Sequence, residues 1–461
     1  MIIFMNNQPE NQPSLKSRAI KASLWTMSGF AVSQLVRLIS NLIITRLLVP
    51  EMFGVMALSQ VFLYIIALIS DIGINSSIVK SDRGDDVRFL NTAWTLQILR
   101  GAILTIAIML VAMGIRVADG ADIFNIGSAY SAPELPLVLA ALSVSTLIVG
   151  FNSTNIVLAN RKLWLGKLTV LELISQIFGI VVMITWALID KSIWALVAGS
   201  LSTSMMFMIF SHTAFPGTRN RLAWDNSAFW EIFHFGKWLL LSSIITAGLV
   251  QGDRLIFGQL LSAEMLGVYS IAYFLASSIK QAIFKINSVV FFPLLSELKR
   301  DNFNLIGSTY YKIRLNSDAL AISAAGFLFA SGEVIITFLY DDRYSEAGWM
   351  LSILSLSLLF TGPIVSGALY FSMDKPKYVS SMVAIEAIVL LTGLPTLFYL
   401  GGIEFSLWIL AFYSLSILPL DLYYKKKLEI LQLYREFIMM PIFVLGYLLG
   451  YLFNFLIASI V

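Results

Sequence analysis

The chain has 461 residues, 58% hydrophobic and only 13% charged, whereas a soluble domain carries about a quarter charged residues. That apolar load is more than a soluble core can bury, so composition argues against a soluble enzyme or binding module and predicts an all-α polytopic membrane protein. Zero cysteines exclude disulfides and thiolate metal sites, two histidines (His212 and His234) argue against a histidine metal centre, no cofactor is expected, and a net charge of +3 leaves no nucleic-acid footprint.

In chain order, residues 1–21 lack the features of a signal peptide and are expected to form a cytoplasmic tail. Apolar stretches then predict helices near 22–48, 52–78, 92–113, 135–158, 168–189 and 192–211 (an N-lobe, 22–211). Residues 212–236 read as a cytoplasmic amphipathic linker, with a helix cap at Asn226 or Ser227. A C-lobe, 237–424, follows with helices near 237–258, 265–290, 314–339, 347–372, 378–400 and 404–424. Residues 425–461 form a C-terminal extension that is long enough for a thirteenth span, or is bent or peripheral, unless an earlier span is misplaced.

With the N-terminus cytoplasmic, 22 of the 31 cations fall in inner segments and four (Arg46, Arg116, Lys191 and Arg343) outside, a bias that sets the orientation. Arg314 and Lys425 are among the inner cations. The remaining five, Arg37, Arg100, Arg254, Lys280 and Lys285, lie within predicted spans.

The phrase RLLVPEMFGVMALSQ at 46–60 returns as QLLSAEMLGVYSIAY at 259–273, an offset of 213. Ile43, Leu47, Leu48, Glu51, Met52, Gly54 and Val55 recur at that offset, and Trp25 matches Trp238. Six helices separate the copies, so both have one orientation. Two parallel six-helix lobes are expected, related by an axis along the membrane normal, with the cleft between them.

Ionisable groups at membrane depth are costly and by default face a wet cavity or a partner. The first helix carries Ser33 or Gln34, Arg37, Asn41 and Thr45 at helical spacing, and the eighth carries Ser270, Tyr273, Ser277, Lys280 with Gln281, and Lys285. Facing each other, these stripes make a cationic cavity, to which Arg254 is a further candidate. Lys285 and Arg46 lie near helix ends and have snorkelling as the alternative, while Arg100 reads as interfacial. Among the carboxylates, Glu172, Asp253, Asp318 and Glu386 are candidates for loading a proton or holding a cation, the alternative being fixed interhelical pairs. Asp71 and Glu333 sit near helix ends and favour the structural reading. Several cations in one cavity suit a diphosphate, since charge-assisted bonds to such oxygens are strong.

The stretches TRLLVPEMFGVMALSQVF (45–62), SDIGINSSIVKS (70–81), ANRKLWLGKLTVLELISQIFG (159–179), DRLIFGQLLSAEMLGVYSIAYFL (253–275) and FFPLLSEL (291–298) resemble the O-antigen and exopolysaccharide repeat-unit flippases of the multidrug/oligosaccharidyl-lipid/polysaccharide exporter superfamily. The likeness runs over roughly residues 15 to 430. The resemblance implies a V-shaped, two-lobed bundle in a bacterial inner membrane, moving an undecaprenyl-diphosphate-linked oligosaccharide from inner to outer leaflet by alternating access. It also implies a cavity with basic residues from both lobes, onto which Arg37 and Arg254 fall. Expected partners are the lipid-linked oligosaccharide, a coupling proton or sodium ion, membrane lipids, and polysaccharide polymerase or export machinery. The departure is the tail, because relatives usually have twelve or fourteen helices. A small-molecule antiporter of the same superfamily is the alternative. A membrane enzyme of polysaccharide assembly is disfavoured, since the longest outer loop, near 114–134, offers Arg116, Asp119, Asp122 and Glu134 in no recognisable arrangement.

Overall fold

A computed structural model describes residues 15–459 apart from 163, 216 and 218, with side chains described from residue 23 onward except 235–245. Most of the expected tail and the side chain of Trp238 therefore lie outside the described residues. Every regular element among the described residues is helical. The first eight are α1 (Leu15–Leu47), α2 (Pro50–Ile69), α3 (Ile74–Lys80), α4 (Val87–Gly120), α5 (Leu135–Gly150), α6 (Asn155–Arg161), α7 (Leu165–Ile189) and α8 (Trp194–Thr213). Ten more follow: α9 (Asn226–Leu260), α10 (Ala263–Ile286), α11 (Phe292–Asp301), α12 (Ile306–Leu339), α13 (Ala347–Ser355), α14 (Gly362–Ser372), α15 (Pro376–Phe412), α16 (Leu418–Lys427), α17 (Leu433–Phe437) and α18 (Ile442–Ala458).

Local chemistry explains several boundaries. Pro50 opens α2, where its missing N–H costs nothing. The Ser262 hydroxyl caps α10 by accepting from the Met265 N–H at 3.1 Å. Pro293 cannot donate to the preceding turn, and a π-helical turn, Asn287–Phe291, separates α10 from α11 there. The linker helix begins at Asn226; the sequence predicts a cap at Asn226 or Ser227, and the cap is instead Asp225, whose carboxylate accepts from Ser227 N–H at 2.9 Å. It also continues unbroken into the next span as α9, so the expected linker and span are one 35-residue helix.

Ten helical stretches among the described residues are long and apolar enough to cross a membrane, eleven counting α5 and α6, which meet at a 64° bend, as one span. One stretch, Pro376–Lys427, is longer than a single span needs. Gly401 and Gly402 have non-helical backbone, Gly402 at φ 70°. Ser406 Oγ donates to the Leu394 carbonyl at 3.3 Å, and the Gly393 position meets Ile409. Residues twelve apart on one straight helix would be about 18 Å apart, so the chain turns back on itself here. These are the two separate helices expected near 378–400 and 404–424.

The C-terminal extension is neither peripheral nor irregular. α18 lies along α12, with Gly446 against the Ser323 carbonyl, Gly450 against the Phe327 carbonyl, and Asn454 Nδ2 donating to the Ala330 carbonyl at 2.8 Å. The contact positions rise together, so the two helices run parallel. Gly446 and Gly450 form a G-x-x-x-G spacing, which lets helix backbones approach closely in lipid.

The two copies of the repeated phrase meet each other. A Cβ on Gly54 would lie 1.9 Å from the Ala263 carbonyl oxygen, and one on Gly267 would lie 1.9 Å from that of Pro50. Gly267 stands 213 positions after Gly54, and Ala263 stands 213 after Pro50, so one contact is made twice with the roles exchanged. Only glycine permits this approach of α2 and α10.

Candidate functional site

Further contacts join the first eight helices to the later ones at this same end. Ala129 N–H donates to the Leu261 carbonyl at 2.8 Å, and the Tyr130 hydroxyl to that of Leu255 at 3.1 Å. The Tyr340 hydroxyl donates to Asn41 Oδ1 at 2.8 Å, and Arg343 Nη2 donates to the Thr45 carbonyl at 3.1 Å. With Gly54 and Gly267 these contacts make a seal at the α1–α2 end. At the opposite end, polar contacts between these two sets of helices run to the linker and the start of α9. Arg83 donates to Asp225 at 2.9 Å and to Ser227 Oγ at 2.8 Å, and Arg221 N–H donates to Asn91 at 3.0 Å. The hydrogen bonds from Ser227 and Arg83 pull the Asp225 carboxyl down to about 2.

The cationic residues expected in the cavity lie on α1, α9 and α10. Arg37 is exposed on α1 and has no hydrogen-bond or ion-pair partner among the described residues. One turn away, the Gln34 Nε2 is buried and unpartnered. Arg254 on α9 sits over the Tyr273 ring at 4.3 Å and donates to Gln251 at 2.8 Å, and its Nε is buried without an acceptor. Its neighbour Asp253 is buried and accepts from the Tyr269 hydroxyl, leaving Oδ1 unpaired. The two adjacent charges thus address successive turns of α10, as expected from their different faces.

Farther along α10, Lys280 lies 6.0 Å from the Tyr413 ring and within electrostatic range of Glu386, which accepts from Ser414. Lys285 interacts with Glu172 of α7, a pairing across the two expected lobes. Gln281 is exposed and donates to Ser277 Oγ at 3.2 Å.

The structure also gives partners to three further residues. Asn41, expected in the cavity, is held in the seal by Tyr340. Asp318, a candidate for loading a proton with an interhelical pair as the alternative, is buried among α12, α16 and α17. Arg100, expected to be interfacial, donates to the Ala67 carbonyl at 2.6 Å and to Ser70 Oγ at 3.2 Å, pinning α4 to the end of α2. Asp71 has the expected local role, accepting from the N–H of Gly73 at 2.9 Å.

The sequence places Arg314 and Lys425 among the inner-segment cations, whereas the structure draws both into a cluster around Asp318. Both are buried, Lys425 to 0% exposure. Arg314 donates from Nε to Asp318 at 3.1 Å and approaches Glu436 within 2.7 Å. Lys425 reaches Asp421 at 2.6 Å and Glu436 at 2.9 Å. Gly362 leaves room for the guanidinium, since a Cβ there would lie 2.4 Å from Arg314 Nη2. The i,i+4 spacings Arg314/Asp318 and Asp421/Lys425 were a usable signal, because such pairs share a helix face. Glu436 came from a distant segment and had none.

Among curated proteins, the chain is similar to the lipopolysaccharide biosynthesis protein WzxC of Escherichia coli (strain K12), 22% identical over 305 residues, which cover 65% of this chain and 58% of that one. It is also similar to the succinoglycan biosynthesis transport protein ExoT of Rhizobium meliloti, 23% identical over 68% of this chain and 61% of that one. The alignments thus span about three fifths of these relatives. Among solved structures, the lipid II flippase MurJ in an inward closed conformation superposes with a TM-score of 0.68 at 12% identity, covering 96% of this chain and 98% of that one. An inward-facing multidrug resistance MATE family transporter of the MOP superfamily superposes with a TM-score of 0.61 at 13% identity, over 93% and 96%. The chain thus has an all-α polytopic membrane fold like that of these transporters, and with a model match over residues 43–348, more than half its length, it belongs to the polysaccharide biosynthesis protein family.

Proposed function

We propose that the chain is a flippase that carries an undecaprenyl-diphosphate-linked oligosaccharide from the inner to the outer leaflet of a bacterial inner membrane by alternating access, driven by an ion gradient. The observation that carries this reading is Arg37, a guanidinium at membrane depth without a partner among the described residues. A diphosphate would give it charge-assisted acceptors, and would do the same for the orphan Nε of Arg254. Lys280 and Lys285 extend the positive surface along α10, and Gln34, Tyr273 and Gln281 offer polar contacts to the glycan. Asn41 would join them only when the seal parts.

The lipid tail remains in the bilayer while the head moves through the cleft, because each unpaired polar group in hydrocarbon costs several kcal/mol. The seal at the α1–α2 end, outer by the charge bias, corresponds to a state that loads from the inner leaflet. Reaching the other state requires α2 and α10 to part. The relatives' names in lipopolysaccharide and succinoglycan biosynthesis support a glycan substrate. The MATE-like fold keeps a small-molecule antiporter as the second reading, although cations lining the cleft oppose cationic drugs.

The test is leaflet-resolved labelling of lipid-linked oligosaccharide in cells lacking the gene, complemented by wild type or Arg37→Ala. Accumulation on the cytoplasmic side, relieved only by wild type, is the expected result. An unchanged distribution in the deletion strain would favour the antiporter.

A further inference from the structure

We propose that the buried cluster of α12, α14, α16 and α17 is a proton-binding site, with Asp318 the group that takes up and releases the proton. As a coupling site this rests on the ion-driven reading above; as a proton site it stands independently.

The argument begins with charge. Three carboxylates (Asp318, Asp421 and Glu436) share the cluster with two cations, Arg314 and Lys425, and all five are at most 5% exposed. The other titratable groups facing it are Tyr310 and Tyr311 on α12, Tyr370 on α14, and Tyr424 on α16, whose ring stacks on Tyr378 of α15. Arg435, over the Tyr311 ring at 5.9 Å, is exposed and does not balance the interior. With every carboxylate ionised the cluster holds one uncompensated negative charge away from water, a costly state. One proton removes it.

Hydrogen bonding identifies where that proton goes. Asp421 accepts from Lys425 at 2.6 Å, from the Tyr370 hydroxyl at 2.6 Å and from Ser366 at 3.2 Å. Glu436 accepts from Lys425 at 3.0 and 2.9 Å and from the Tyr311 hydroxyl at 2.8 Å, with Arg314 Nη1 at 2.7 Å. Among the described residues Asp318 has one donor, Arg314 Nε at 3.1 Å. Donors stabilise the ionised form, so the carboxylate with fewest of them protonates first. Asp318 is also the most accessible of the three, its side chain 7% exposed against 0% for the other two, which suits exchange with water.

A sodium ion fits less well. It would need several free oxygen ligands, and those of Asp421 and Glu436 already face N–H and O–H donors. Release breaks the Asp318 O–H bond, passes the proton to water and leaves the carboxylate. That new charge competes with Glu436 for the Arg314 guanidinium. Because Glu436 ties α17 to α12, proton occupancy is communicated to the segment entering α18.

The experiment is infrared difference spectroscopy of the full-length purified protein between acid and alkaline pH, with 13C-carboxyl aspartate. The expected wild-type result is a protonated-carboxyl band that titrates and shifts with the aspartate label. Asp318→Asn should lose the band, and Asp318→Glu should keep one. A wild-type spectrum with no aspartate carboxyl band overturns the site without relying on any variant folding. So does a band unchanged in Asp318→Asn, or one displaced by sodium at constant pH.

A parallel assay follows an undecaprenyl-diphosphate-linked oligosaccharide in proteoliposomes under an imposed pH gradient. Gradient stimulation in wild type that is lost in Asp318→Asn supports coupling through this site, whereas stimulation retained in that variant overturns it. If wild type moves no lipid yet shows the Asp318 band, the flippase reading fails while the proton site stands.

Discussion

Adding one methyl group at Gly267 should shift the protein away from the sealed conformation. The Cβ of Gly267→Ala would lie 1.9 Å from the Pro50 carbonyl oxygen, where ordinary contact begins at 3.4 Å. α2 and α10 must therefore separate by roughly 1.5 Å, and overpacking of this kind costs about 1–3 kcal/mol. The strain exists only while the helices touch, so it shifts the balance toward the parted state by roughly 5- to 150-fold. Gly54→Ala should act alike, since its Cβ meets the Ala263 carbonyl at the same 1.9 Å. Gly114→Ala is the control: nothing lies within 4 Å of its Cβ, and it gains the same helix propensity. The chain has no cysteine, so a single Thr45→Cys, at a position 1% exposed whose backbone carbonyl is held in the seal, reports without background. A membrane-impermeant maleimide should label it faster in both seal variants and not in the control. Unchanged labelling in both, at normal protein levels, would show that α2 and α10 do not make the contact on which the argument depends.

Other perturbations separate the roles of individual charges. Arg37→Ala should abolish most lipid-linked oligosaccharide export while Arg37→Lys retains part of it, because a point charge still attracts a diphosphate but loses the bidentate fit; wild-type export by both at normal levels would remove Arg37 from the site. Glu386→Gln should change the pH dependence of transport in proteoliposomes, since it removes the charge facing Lys280, and an unaltered profile would take Glu386 out of the coupling set. For the cap of α9, the folded carboxyl of Asp225 is held at about 2, below its ordinary value of 3.8. Its contribution is therefore complete above about pH 4 and lost as pH falls toward 2. Amide exchange at Ser227 to Phe229 should accelerate over that window in wild type, and Asp225→Asn should remove the pH dependence.

The sequence by itself determined the class of protein, because an apolar load of this size has one physical outlet, and helix length follows from bilayer thickness. It also located the limbs of the α15 hairpin, since each is a long apolar stretch, and a C-terminal stretch long enough for an extra span, though not whether that stretch crosses or lies at the periphery. Single-helix periodicity sufficed to put Arg37 and Gln34 on one face of α1, and Tyr273 and Lys280 on one face of α10. Which charges meet was another matter. Arg314 and Lys425 read only as inner-segment cations because their partner Glu436 is supplied by a segment more than a hundred residues from Arg314, and only packing brings α17 beneath α12. Asn41 read as cavity lining because a helix face cannot reveal that Tyr340, some 300 residues away, closes over it. The duplicated phrase was legible as a repeat, but only the tertiary structure made its two glycines each other's partners, since local sequence encodes a small residue and not the backbone pressed against it.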